Sequence, residues 1–124
     1  MNVLLVVDIQ ERFYIPLYTE RVLSAVIESS KLFDKVIATS LNDTKIPFKY
    51  DELYVRETPE LPIEKMFKPD DTITIVGCDT ALAICANTWT LFDLGYNFVI
   101  DLRFVYTNSG ILHSLTITKD FKMS

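Results

Sequence analysis

Residues 72–95 read TITIVGCDTALAICANTWTLFDLG, and this stretch decides the fold. Thr72 to Val76 is β-branched at every position and stops at Gly77, which reads as a strand. From about Thr80 to Leu94 hardly any residue is charged, so the run predicts a long helix buried on most sides. Asp79 or Thr80 is placed to cap its start, and Gly95 stands where a C′ glycine ends a helix. A strand, a tight turn and a buried helix in succession make the repeating unit of a parallel α/β sheet.

Working outward, Met1 to Val7 is an apolar run interrupted only by Asn2, and it ends at Asp8. Such a strand has both faces covered, so it belongs in the middle of a parallel sheet. Residues from about Thr19 to Phe33 predict a helix, with Thr19 as cap and Val22, Leu23, Val26 and Ile27 as its apolar stripe. Lys35 to Thr39 predicts a second buried strand, Asn42 to Tyr50 a loop, and Glu52 to Arg56 an edge strand. Pro59, Pro62 and Pro69 leave room only for a short helix around Ile63 to Phe67. Phe98 to Ile100 and Phe104 to Tyr106 predict two further short strands, and Gly110 onward a terminal helix containing His113. The expected architecture is α/β: a three-layer α/β/α Rossmann-like fold with a mainly parallel sheet of about five to six strands, in one domain over residues 1–124. Met1–Val7 and Thr72–Val76 are expected as adjacent central strands. Ligands of such sheets sit beyond the carboxyl ends of the strands, where Asp8 and the Gly77–Thr80 turn would line one crevice.

Composition narrows the function. Three glycines, spread over positions 77, 95 and 110, cannot form a glycine-rich phosphate loop. One histidine excludes a multi-histidine metal site, so neither a metal nor a cofactor is expected. Twelve basic against 17 acidic residues give a net charge of −5, which argues against nucleic acid as a partner. No apolar run is long enough to span a membrane. Cys78 and Cys85, on one helix, would lie about 10 Å apart, too far for a disulfide. Reduced thiols and the lack of a signal-like start fit a cytoplasmic location.

Two stretches resemble the isochorismatase-like cysteine hydrolases, the family that includes nicotinamidases. In LLVVDIQERF, residues 4–13, a hydrophobic strand is followed by Asp8, Gln10 and an aromatic, Phe13. In residues 74–95, Gly77, Thr80 and the Gly95-Tyr96 pair fall in the family's register. The resemblance implies a catalytic triad in which an Asp takes the proton of a helix-start Cys beside a Lys. It implies Asp8 as the base, Gln10, Phe13, Thr80 and Leu82 as ligand-binding residues, and a cis peptide at Asp79–Thr80.

The register departs from the family at the chemistry. The nucleophile position holds Ala83, and a methyl group attacks nothing. Cys85 lies two residues on, about 200° around a helix. Val55-Arg56-Glu57 stands where the family has its Lys, so Arg56 takes that place. The histidine-containing metal pattern is absent from Thr39–Asp43, and the chain is short for the family. The expected protein is therefore a degenerate isochorismatase-like member without thiol catalysis, a small-ligand-binding or scaffold protein. The alternative is a cysteine hydrolase, acting on an amide or vinyl ether, with an engineered alanine at position 83 or altered chemistry. An anionic or amide-containing small molecule is the expected ligand. Apolar residues around Tyr50, Leu53 and Tyr54, and around Phe104, Tyr106 and Ile111, point to a homodimer.

Overall fold

The computed structural model describes residues 1–107. Five strands form one all-parallel sheet: β1 (Asn2–Val7), β2 (Lys35–Leu41), β3 (Glu52–Arg56), β4 (Thr72–Gly77) and β5 (Asn97–Val105), in the order β3-β2-β1-β4-β5. β1 and β4 are central neighbours, paired from Asn2–Thr72 to Val7–Gly77. The helices are α1 (Tyr18–Ser29), the single turn α2 (Ile63–Met66) and α3 (Cys85–Asp93), the last preceded by one π-helical turn over Thr80–Ile84.

The unbroken apolar run of β1 serves two cores at once. Side chains alternate across a strand, so Val3, Leu5 and Val7 pack with Ile73, Ile75, Ala83, Ile84 and Leu91 on the α3 side. Leu4 and Val6 pack with Val22, Val26, Val36 and Val76 on the α1 side. Burial on both faces makes β1 the axis of the molecule.

Local details correct the sequence reading. α1 ends at Ser29 and passes into a 3-10 turn, Ser30–Leu32, instead of running to Phe33. Thr19 does not cap it; the Thr19 hydroxyl is buried, accepts from the Ile15 N–H at 2.8 Å and meets the Tyr106 hydroxyl at 2.8 Å. Ile27 is exposed, off the stripe. The two short strands expected after residue 97 are one strand with a bulge: pairing runs to Ile75–Ile100, then resumes at Gly77–Val105. Within the offset, Asp101 accepts the Arg103 N–H at 3.1 Å and holds its guanidinium. The cis peptide lies at Cys78–Asp79, one bond before the expected place. The terminal helix with His113 lies outside the described residues, as does Ile111.

Two glycines fix the ends of the β4–α3 unit. Gly95 has φ +78, and its N–H reaches Phe92 O while Tyr96 N–H reaches Leu91 O, a Schellman termination. Gly77 has φ +118, and a Cβ there would sit 2.2 Å from Val7 O. Only glycine lets β4 leave the sheet this close to β1. Gly95→Ala meets open space and is expected to cost only the left-handed backbone, about 1–2 kcal/mol. Gly77→Ala is expected to cost clearly more, because Val7 backbone must move. Urea denaturation of the two variants checks the order; equal losses would show that the Val7 contact does not matter.

Candidate functional site

Asp8 follows the last residue of β1 and turns the chain with φ +53. Its residue is 1% exposed, so its charge must be held by the protein. Three groups hold it. The Thr39 hydroxyl donates to Oδ1 at 2.9 Å. Arg56 Nε donates to the same oxygen at 3.3 Å, and Arg56 Nη2 donates to Oδ2. The remaining arm, Nη1, donates to Thr58 O at 2.7 Å, fixing the guanidinium to its own loop. The Arg56 side chain is only 8% exposed. Neighbouring parallel strands bring these ends together: Val7 pairs with Thr39, and Leu41 with Arg56.

On the other side stands the turn after β4. Cys78 N–H reaches Val7 O at 2.9 Å and its thiol reaches Asp8 O at 3.3 Å. Burial pushes the Cys78 thiol up to about 12, with the nearby Asp8 and Asp79 carboxylates acting in the same direction. Asp79 caps the π turn, accepting from Ala81 N–H at 3.0 Å, and Thr107 donates to it as well. Thr80 turns its hydroxyl to Tyr106 O at 3.0 Å. Tyr106 is itself buried, and burial raises its phenol.

Ala83 is buried in the π turn, on the α3-side core with Val7. Asn87, one turn on, binds Ala83 O and Pro59 O at 2.7 Å each through Nδ2, and accepts Leu61 N–H at 2.8 Å. The segment after β3 is thereby stitched to the helix that carries position 83. Cys85 is half-buried against the same core.

The expected site residues thus fall into separate places. Asp8 and Arg56 form one closed cluster. Gln10 is buried with its amide on Leu41, Nε2 to O at 3.1 Å and Oε1 from N at 2.7 Å, extending β2 as a pseudo-strand. Phe13 is half-buried against the α1-side core and takes Arg12 over its ring. Thr80 is spent on Tyr106. Leu82 is 60% exposed, outside the cluster. Sequence reasoning missed Thr39 and Asn87. Thr39 was legible in principle, since it is the β2 residue level with the end of β1; Asn87 gives no such signal, because its partners are backbone groups distant in sequence.

No protein-family model matches the sequence, and no curated protein matches it. The fold does match solved structures. The chain is similar to the nicotinamidase of Staphylococcus aureus, with a TM-score of 0.77 at 13% identity over 99% of this chain and 98% of that one. It is similar to a ribonuclease of Caenorhabditis elegans, with a TM-score of 0.77 at 17% identity over 95% of this chain and 71% of that one. An isochorismatase-like hydrolase of Alkaliphilus metalliredigens matches with a TM-score of 0.76 at 12% identity over 98% and 93%. At these identities the likeness is one of fold: the chain has the α/β Rossmann-like fold of nicotinamidases and isochorismatase-like hydrolases. No helix among the described residues is long and apolar enough to cross a membrane.

Two predictions follow from the cluster and the turn. Breaking a buried pair strands one charge, so Arg56→Met is expected to destabilise by about 3–5 kcal/mol. Asp8→Leu combined with Arg56→Met is expected to recover most of that loss. Additive losses in denaturant titrations would mean the pair does not act as a unit. For Cys78, the folded value lies above the ordinary 9.0, so the folded state resists deprotonation. Its contribution to stability is complete below about pH 9 and is lost as pH rises toward 12. At pH 8 a thiol reagent is expected to label Cys85 in the native protein and Cys78 only after unfolding; equal labelling of both would refute the burial argument.

Proposed function

We propose that this chain is a non-catalytic, isochorismatase-like protein, one domain over residues 1–124, that holds a small anionic or amide-containing ligand without turning it over. The single observation that carries the reading is the state of Asp8. A general base needs a free lone pair and access to the proton it removes. Asp8 is 1% exposed and both its oxygens accept hydrogen bonds, from Thr39 and from two arms of Arg56, so access is what is missing even though Oδ2 keeps one lone pair. The position that the resemblance assigns to the nucleophile carries a methyl group, Ala83. Neither thiol is placed as its substitute: burial pushes the Cys78 thiol up, and Cys85, the first residue of α3, packs half-buried against the α3-side core. An alanine engineered into an active hydrolase would not by itself put an arginine fork on Asp8, which favours the non-catalytic reading over the enzyme alternative.

Self-association is part of the proposal. Among the described residues β3 ends the sheet, with β2 as its one pairing partner, and Val55 in it and Tyr50 just before it are exposed. Strand edges of this kind are commonly paired or covered. The second aromatic group contributes less, since Tyr106 is buried and Phe104 packs partly against the α1-side core, as does Phe48 of the first group. A cytoplasmic setting, with no nucleic acid or membrane partner, completes the reading.

Ammonia release from nicotinamide and related amides tests it. The protein is expected to give none. Ala83→Cys is also expected to give none, because Asp8 stays locked to Arg56. Turnover by the unaltered protein that vanishes in Asp8→Asn would overturn the proposal. Light scattering is expected to give about twice the chain mass of 14.3 kDa; a constant monomer mass on dilution would remove the dimer and leave the rest standing.

A further inference from the structure

An edge strand presents unpaired N–H and C=O groups, and proteins guard it with bulges, prolines, charged side chains or a covering segment. Among the described residues the two ends of this sheet are treated differently. β5 carries a bulge between Ile100 and Val105, and the Asp101–Arg103 ion pair stands within it. β3 carries no such device. Its register with β2 is unbroken from Ile37–Glu52 to Leu41–Arg56, and it contains neither proline nor glycine.

The backbone shows which groups of β3 face outward. Arg56 O accepts the Asn42 N–H at 3.0 Å, so Arg56 turns its carbonyl to the β2 side. In a parallel strand, successive residues turn their backbone groups to opposite sides. Glu52, Tyr54 and Arg56 therefore bond toward β2, while Leu53 and Val55 direct N–H and C=O away from the sheet. Both outward positions are apolar, Leu53 half-buried and Val55 47% exposed, where a guarded edge carries a lysine.

β3 reads Glu-Leu-Tyr-Val-Arg: acid, apolar, tyrosine, apolar, base. Reversed, it is its own complement. We infer that β3 pairs antiparallel with β3 of a second copy about a two-fold axis at Tyr54, joining the two five-stranded sheets into one. Leu53 of each copy then faces Val55 of the other, and these residues exchange their N–H···O=C bonds. Glu52 of each copy lies level with Arg56 of the other, so no like charges meet within the paired strands. Each of these charges is already held in its own chain, Glu52 by Lys35 and Arg56 by Asp8, so the interface leaves none unpaired. This inference rests on the proposed self-association and gives it a strand, a register and an axis.

Disulfide trapping in a Cys85→Ser background tests it. Residues that exchange both bonds lie about 5.5 Å apart by Cα, within disulfide reach. The Leu53→Cys and Val55→Cys proteins are each expected to stay uncross-linked alone and to give a covalent dimer when mixed under mild oxidant, because position 53 meets position 55 and not itself. Val55→Pro removes an outward N–H that β2 does not use; light scattering is expected to give the single-chain mass, with circular dichroism unchanged. Val55→Lys, at the same exposed position, is expected to raise the dimer dissociation constant about tenfold. Where Val55→Pro fails to fold, the cross-linking of the mixture decides. A dimer that persists in both Val55 variants, or a cross-link formed by Val55→Cys alone and not by the mixture, would overturn the inference and leave self-association on another face. A monomeric unaltered protein would overturn it together with the self-association reading, leaving the edge to an extended peptide of another chain.

Discussion

Everything at the carboxyl edge of the sheet depends on the charge of Asp8. A carboxylate this deep is tolerated only with a cation and hydrogen bonds around it. Its cation comes from two strands away. Arg56, at the end of β3, passes the end of β2 to reach β1, and the β2 residue between them, Thr39, supplies the remaining hydrogen bond. Three strand ends are tied by one carboxylate. The pair need not add net stability, since desolvation offsets much of its attraction, but neither partner can be removed alone. Its structural result is a fixed position for the loop that begins at Glu57.

That loop then fixes the helix. Asn87 bridges Pro59, Leu61 and Ala83, so the segment after β3 covers the π turn from one side. Gly77 brings the same turn against Val7 from the other. Between these constraints position 83 is packed, and a buried alanine is the residue such packing fits. The closed cluster and the small side chain are consistent parts of one arrangement, each reducing the need for the other to change.

The fold was legible because its signals are local and strong. The apolar run at 3–7 and the β-branched run at 72–76 name the buried parallel strands, and Gly95 names the helix end. The misses share a cause: each depends on a tertiary partner. Thr19 looks like a cap, yet Tyr106, far along the chain, claims its hydroxyl. β5 looks like two strands because Asp101 folds back on Arg103 and interrupts the apolar pattern, while the pairing with Gly77 that rejoins it is invisible in sequence. Of the site, Asp8 and Arg56 were legible as positions in a register. Their union was not, because nothing in Val55-Arg56-Glu57 says which way the arginine points. Gln10 and Phe13, adjacent in motif to Asp8, diverge in space because the left-handed turn at Asp8 sends the chain toward α1.

The difference between arginine and lysine at position 56 decides what Asp8 can do. A lysine ammonium is a point charge on a flexible stem; it can sit beside a carboxylate and still leave an oxygen free for a proton. A guanidinium is planar, always charged, and presents parallel donors that match both carboxylate oxygens. Here one edge of the fork covers both oxygens of Asp8 while the third nitrogen is bound to Thr58 O, so the group is anchored from two sides. On the proposed reading, a thiol placed at position 83 would find Asp8 still held by Arg56. Asp8 is thereby part of a structural lock that joins the ends of β1, β2 and β3.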